Sequence, residues 1–279
     1  MSQNSRLLPR LSHSSRPLTI TVEAVDETGE TVLVPIPGEH PLTIYVDKRE
    51  IVTLMTLGQS PEALVIGYLR NQRLVKSLDE IASVQVDWEV NAAAVWTRGG
   101  QLDSQEVEAR MQKRTVTTGC GQGTVFGDLM DEVEHIHLPA EGRLHEETLF
   151  AMLSAVRQYE SVYKEAGAVH GCALIENSLP EPKILVYIED VGRHNAVDAI
   201  AGRMWLEEIS GDHTMFYTTG RLTSEMVIKA AQMGIPFLVS RSGITQMGWE
   251  VARQVGMTVI GRARGRHYQI FAGKERMTR

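Results

Sequence analysis

Beyond residue 139 the chain alternates short apolar runs with segments of helical period, and that alternation constrains the fold more than any other feature. Residues 145–163 carry Leu149, Met152, Leu153, Val156 and Tyr159 at helical spacing, and residues 168–175 and 184–188 read as short apolar strands. Residues 195–208 place Ala196, Val197, Ile200, Ala201 and Met204 on one helix face, and a strand follows at 215–218. Thr223 is placed to cap a helix running to Met233, which Gly234 and Pro236 stop. A strand at 237–240, a helix at 245–254 ended by Gly256, and strands at 257–260 and 268–271 close the series. Helices between successive strands cover both faces of a mostly parallel sheet, so residues 140–279 are expected to form a layered α/β domain.

The preceding part has a different grammar. β-branched runs at 19–22 and 31–34 flank the turn residues Asp26-Glu27-Thr28-Gly29, and runs at 42–46 and 51–55 flank Asp47-Lys48-Arg49-Glu50. A third pair, 84–89 and 92–97, turns at Asn91. Ser60-Pro61-Glu62 opens one helix, with Ser as the expected N-cap, Pro in the first helical position and Glu in the first turn. The division expected is a flexible start (1–17), a smaller β-rich domain with one main helix (18–114), a cysteine loop and connector (115–139) and the α/β domain (140–279). The whole is α/β in class, α+β when both parts are counted.

Lys and Arg number 28 against 35 Asp and Glu, a net charge of −7, which argues against a surface built for non-specific nucleic-acid binding. No apolar run reaches membrane-spanning length and the N-terminus lacks a signal-peptide core, so the expectation is a cytoplasmic protein without membrane insertion. Two cysteines, Cys120 and Cys172, form no repeated framework, in keeping with a reducing compartment.

Four stretches can carry chemistry. Thr117-Thr118-Gly119-Cys120-Gly121-Gln122-Gly123 presents a cysteine between glycines, which permit close approach to the sulfur, with Arg110, Lys113 and Arg114 upstream to favour the thiolate. On local grounds the loop reads equally as a mobile linker. Glu189-Asp190-Val191-Gly192-Arg193-His194-Asn195 lies where a strand gives way to a helix, the edge at which open α/β sheets bind ligands. Either its charged groups meet a ligand or Asp190 and Asn195 only cap the helix. Gly261-Arg262-Ala263-Arg264-Gly265-Arg266 reads as a compact anion site or a solvated basic turn. His170-Gly171-Cys172 lacks the Glu and the later Cys-x-x-Cys that a zinc deaminase requires, and His135-x-His137, on one face of a possible strand, lacks a third ligand, so no structural metal is expected.

Several of these motifs together resemble the FdhD family of formate dehydrogenase accessory sulfurtransferases. The likeness runs from about Glu39 onward. Its most specific block is Glu189-Asp190-Val191-Gly192-Arg193-His194 with Ala196-Val197-Asp198. It is joined by Ser60-Pro61-Glu62, Thr118-Gly119-Cys120-Gly121, His170, Ser224-Glu225-Met226 with Lys229, and Gly265-Arg266.

The resemblance implies a C-terminal three-layer domain of cytidine-deaminase-like fold without its zinc. It implies that Cys120 accepts sulfur from a cysteine desulfurase as a persulfide and delivers it to the molybdenum bis-guanine-dinucleotide cofactor destined for formate dehydrogenase. It further implies a homodimer that binds this cofactor or a guanine nucleotide through Gly261, Arg262, Ala263, Arg264, Gly265 and Arg266, with Gly192, Arg193, His194 and His170 in the same cleft. Many members of that family carry Cys-x-x-Cys in the loop. Gly123 stands here in place of the second cysteine, which removes release of sulfur through a local disulfide, and Cys172 reads as core filling. The alternative is a non-catalytic cofactor or guanine-nucleotide chaperone in which Cys120 is dispensable.

Overall fold

The computed structural model describes residues 7–100, 115–116, 123–124, 133–178 and 181–279. The first part supplies β1 (Arg10–Leu11), β2 (Thr19–Val25), β3 (Thr31–Pro37), β4 (His40–Val46), β5 (Arg49–Thr56), helix α1 (Pro61–Asn71), β6 (Ile81–Asp87) and β7 (Ala92–Thr97). The three expected hairpins form. Asp47 and Lys48 both take positive φ (46° and 73°), as the tight turn between β4 and β5 requires, and Asn91 does so (52°) between β6 and β7. β4 also pairs with β7 in parallel, giving a five-stranded sheet of order β1-β6-β7-β4-β5, while β2 and β3 stand apart as a two-stranded ribbon.

Residues 10–16, expected to fray, are tied down instead. β1 pairs with β6, and Glu62 Oε1 accepts from Ser12 Oγ at 2.5 Å and Ser14 N at 2.7 Å. The Arg16 guanidinium lies 4.6 Å from the Trp88 ring centroid. Ser60 stands at the N-cap of α1 but makes no side-chain capping bond; Pro61 and the Leu64 N–H to Ser60 O bond start the helix.

The rest of the described chain comprises β8 (Thr115–Val116), β9 (Gly123–Thr124), β10 (Leu144–His145), α2 (Glu146–Gln158), α3 (Val162–Ala166), β11 (His170–Glu176), β12 (Ile184–Asp190), α4 (Arg193–Leu206), β13 (Thr214–Thr218), α5 (Ser224–Gln232), β14 (Phe237–Ser240), α6 (Gln246–Gln254), β15 (Thr258–Arg264), β16 (His267–Ala272) and β17 (Met277–Thr278). The helix expected over 145–163 is two: α2 stops at Gln158, and the Ser161 side chain then accepts from Lys164 N to cap α3.

The main sheet has the order β12-β11-β13-β14-β15-β16, parallel only through β13, β14 and β15. Alternate strand residues feed two cores. Cys172, Leu174, Phe216, Leu238 and Val259 face α4, α5 and α6, whereas Ala173, Ile175, Met215, Tyr217, Val239 and Ile260 face Leu149, Met152, Leu153 and Val156 of α2. Helix α1 is buried on nearly every side because it lies between the five-stranded sheet and α4. The fold is thus mixed α/β, with α1 and α4 as the seam between two sheets. No described helix is long and apolar enough to cross a membrane.

Candidate functional site

The parallel strands β13, β14 and β15 end together, and at that end, on the α2 face, lies a cavity of about 370 Å³. This is the strand edge at which α/β sheets bind ligands. Its aromatic lining comes from Tyr159, Tyr163, Tyr187 and Tyr217, and its cations from Arg157, Lys164, Arg241 and Arg264. Tyr159 and Tyr187 stack at 4.3 Å between ring centroids. Gly171 makes room for Tyr187, since a Cβ there would lie 2.5 Å from the phenol oxygen. Glu189 is the one carboxylate among the described lining residues and is committed elsewhere: its oxygens accept from Val162 N at 2.6 Å and Tyr163 N at 3.2 Å, which fixes the start of α3. Burial raises its carboxyl above the usual range, opposed by those bonds. Flat aromatic walls with guanidinium groups at the rim suit a heterocycle bearing an anionic tail.

The turn between β12 and α4 faces the opposite way. Asp190 is buried; its carboxylate accepts from Thr56 Oγ1, from Leu57 N at 3.2 Å, Gly192 N at 3.0 Å and Asn195 Nδ2 at 2.8 Å. Asn195 Nδ2 also reaches Met55 O at 2.7 Å. Asp190 is therefore a staple between the end of β5 and the start of α4, while the N-cap of that helix is Gly192, without a side-chain capping bond. Burial outweighs those bonds and pushes its carboxyl up to about 6.

Arg193 and His194 are likewise buried, at 5% and 3% exposure, rather than open to a cleft, and the Arg193 stem packs across Gly220 in the loop after β13. His194 Nδ1 lies 3.0 Å from Glu225 Oε1. Behind Glu225, Lys229 Nζ lies 3.3 Å from it and 2.9 Å from Asp198 Oδ2, while Asp198 Oδ1 accepts from Asn71 of α1 at 2.7 Å. His170 reaches this group from β11, its Nδ1 3.4 Å from Thr219 Oγ1; burial, then Arg193, His194 and Arg221, lowers its titration below the ordinary value.

The expected single cleft is accordingly two features at one end of the sheet. Gly192, Arg193, His194 and His170 gather on the α4 face, Arg264 and Gly265 line the cavity on the α2 face, and Thr219 touches both. The arginine segment does not form a compact turn either. β15 runs on through Gly261, Arg262, Ala263 and Arg264: Ala263 is buried, Arg262 and Arg264 are exposed, the pairing with β16 shifts register between Gly261 and Arg264, and Arg262 takes φ of 53°. Gly265, at φ 59°, turns the chain, and Arg266 points away from the cavity, its guanidinium 4.6 Å from the Phe150 ring centroid.

Cys172 is a fully buried thiol 3.3 Å from Thr218 Oγ1, and burial pushes it up to about 12, so it is core filling as expected. Cys120, with the cations Arg110, Lys113 and Arg114, lies outside the described residues; the flanking pairs Thr115↔Thr124 and Val116↔Gly123 are antiparallel. His135 and His137 are not on a strand, and no group of three or more potential metal ligands occurs among the described residues. The tyrosines, Lys164 and Arg241 were not singled out from the sequence. Arg241 carried a usable signal, its place directly after an apolar strand; the tyrosines, scattered from 159 to 217, carried none.

Residues 37–278 match the model of the FdhD/NarQ family. Relatives include the sulfur carrier protein FdhD of Wolinella succinogenes, 26% identical over 239 residues that cover 86% of this chain and 81% of that protein. The sulfur carrier protein FdhD of Bacillus subtilis is 27% identical over 240 residues, 86% of this chain and 88% of its own. Among solved structures, that of a putative formate dehydrogenase accessory protein from Desulfotalea psychrophila superposes with a TM-score of 0.74 at 26% identity. It covers 94% of this chain and 100% of the other.

Proposed function

The chain belongs to the FdhD/NarQ family, and from that premise we propose that it is a sulfur carrier for formate dehydrogenase with Cys120 as the carrying thiol. The observation that supports Cys120 is one of elimination. The sequence holds two cysteines, and Cys172 is sealed in the core with its thiol pushed up to about 12, unfit to attack anything near neutrality. A Cys120 thiolate attacks the outer sulfur of a cysteine desulfurase persulfide. The donor S–S bond breaks, its electron pair stays on the desulfurase sulfur as thiolate, and Cys120 becomes the persulfide. In delivery the acceptor supplies the bonding pair to the outer sulfur, and the pair of the carrier's S–S bond returns to Cys120. With glycine at 123, no local disulfide takes part.

The substrate of that delivery is the molybdenum bis-guanine-dinucleotide cofactor, and its guanine nucleotide end fits the tyrosine- and arginine-lined cavity by chemistry: stacking for the base, guanidinium groups for the phosphates. The carrier acts in the cytoplasm as a homodimer. Incubation with a cysteine desulfurase and cysteine is expected to add sulfur at Cys120, read by mass spectrometry, and Cys120→Ala is expected to lose it. Sulfur on Cys172 would overturn the assignment. If Cys120→Ala supports formate dehydrogenase fully in cells, the protein is instead a cofactor chaperone.

The cavity has its own check. Arg241→Ala and Arg264→Ala are each expected to weaken GDP binding about tenfold in calorimetry, with a shallower salt dependence. Arg266→Ala, on the far side of the turn, is expected to leave binding unchanged. Equal losses for all three would place the nucleotide elsewhere.

A further inference from the structure

The ribbon of β2 and β3 stands apart from both larger sheets, and its hydrogen-bond parity shows which of its edges is left open. Gly38 N donates to Leu18 O at 2.8 Å at its base, and Asp26 N donates to Glu30 O at 3.0 Å at its tip. Between those bonds Ile20, Val22 and Ala24 sit opposite Ile36, Val34 and Val32, so the even-numbered residues bond across the ribbon. The main chain of the odd-numbered residues points outward: that of Thr19, Thr21, Glu23 and Val25 from β2, and that of Pro35 and Pro37 from β3.

The two edges differ. Pro35 and Pro37 have no N–H to offer, which blunts the β3 edge, and β3 also lies against α3. β2 holds neither proline nor lysine, Thr21 and Glu23 are exposed, and Val25 is 70% exposed. Among the described residues no strand other than β3 pairs with β2. One face of the ribbon is wholly aliphatic, built from Ile20, Val22, Ala24, Val32, Val34 and Ile36. None of the six joins a buried core among the described residues, and Ile20 and Ile36 are exposed. Two strands alone are marginal in water; three or more with an apolar face are needed for stability.

We propose that β2 pairs antiparallel with β2 of a second copy of this chain, about a two-fold axis at Val22, so that the two ribbons form one four-stranded sheet. This gives the homodimer proposed above its interface, resting on that part of the reading and not on sulfur transfer. The strand is complementary to itself. With Val22 on the axis, Thr21 faces Glu23 and Thr19 faces Val25 in both directions, so outward groups meet outward groups and each such pair exchanges both its N–H···O bonds. On the aliphatic face Ile20 then meets Ala24 and Val22 meets its own copy, and that face runs unbroken from one ribbon into the other. An axis at Glu23 would instead oppose two like charges.

Sedimentation velocity of the full-length protein at high micromolar concentration is expected to show a dimer. Thr21→Pro removes an outward N–H and leaves the ribbon's own bonds intact, and is expected to raise the dissociation constant about tenfold or more. Val22→Cys is expected to link two chains through the introduced thiols under mild oxidation. A non-hydrogen-bonded antiparallel pair holds its Cα atoms about 4.5 Å apart, within disulfide reach. Leu33→Cys, exposed but on the proline-bearing strand, is expected to give no such link. Mass spectrometry of the linked peptides separates these bonds from any made by Cys120. Equal linking by both variants, or a dimer that Thr21→Pro leaves unchanged, overturns the interface while the homodimer stands. A wild-type protein that sediments as a monomer overturns both, and leaves the open edge to a strand of a different protein.

Discussion

Gly67→Ala is expected to destabilise the protein by about 3 kcal/mol or more, and Gly202→Ala by a similar amount. A Cβ at Gly67 would lie 1.7 Å from the carbonyl oxygen of Asp198, and one at Gly202 would lie 1.9 Å from that of Ala63. Both obstacles are helix backbone, so no side chain can rotate away and the axes of α1 and α4 must part. In an open helix the same change gains about 1 kcal/mol, so the clash alone decides the sign. Urea unfolding should show a lower midpoint with unchanged slope. Gly243→Ala, with nothing within 4 Å of the new Cβ, is the control, expected within about 0.5 kcal/mol of wild type. Parting α1 from α4 also separates Asn71 from Asp198 and so loosens the buried cluster with Lys229 and Glu225.

That crossing shows which features were legible in the sequence. The strand and helix alternation after residue 139 was, because each element there writes its own local period, and so were the hairpins at Asp47-Lys48 and Asn91, because their turns need residues that tolerate positive φ. Pairing between strands distant in the chain, such as β1 with β6 and β4 with β7, leaves no local mark and was not read. The break at residues 159–161 was missed because Tyr159 continues the apolar spacing of α2.

At the site, a charged strand-to-helix turn has the same sequence whether it meets a ligand or a second sheet. Asp190 spends its acceptors on Thr56 and Leu57 from the other sheet, so its charge marks the seam between the two halves rather than a mouth. The arginine segment was expected to follow the strand, whereas β15 extends through Arg264, and the arginines were grouped by their spacing in the chain. The positive φ of Arg262 and the register shift beside it break the regular strand, and the turn at Gly265 carries Arg266 to the Phe150 ring. Cys172 was expected to fill the core on the strength of the family resemblance, and burial there is complete.

Lys229→Met is expected to cost about 3–5 kcal/mol at pH 7.5, the range for removing one partner of a buried ionic cluster. It should also change the pH dependence of the cluster. In the wild-type protein Glu225 sits at about 2, below its unfolded value, so its contribution is present in full above the ordinary carboxylate range and is lost as pH falls toward 2. Burial would lower the Lys229 ammonium, but Asp198 and Glu225 outweigh it and raise it, so the lysine stays charged, while burial raises the Asp198 carboxyl even beside it. Without the ammonium, two buried carboxyls face each other across the space it filled, and desolvation raises at least one of them. The folded variant then binds more protons than the unfolded chain between the ordinary carboxylate range and the raised value, and its stability falls as pH rises through that window. The deficit relative to wild type should therefore be smaller at pH 5 than at pH 7.5 in urea unfolding. Because Asp190 and Glu189 are common to both proteins, their own titrations cancel in the difference. A deficit that is constant with pH would mean that methionine leaves both carboxylates adequately solvated, and that Lys229 is not what keeps Glu225 ionised behind His194.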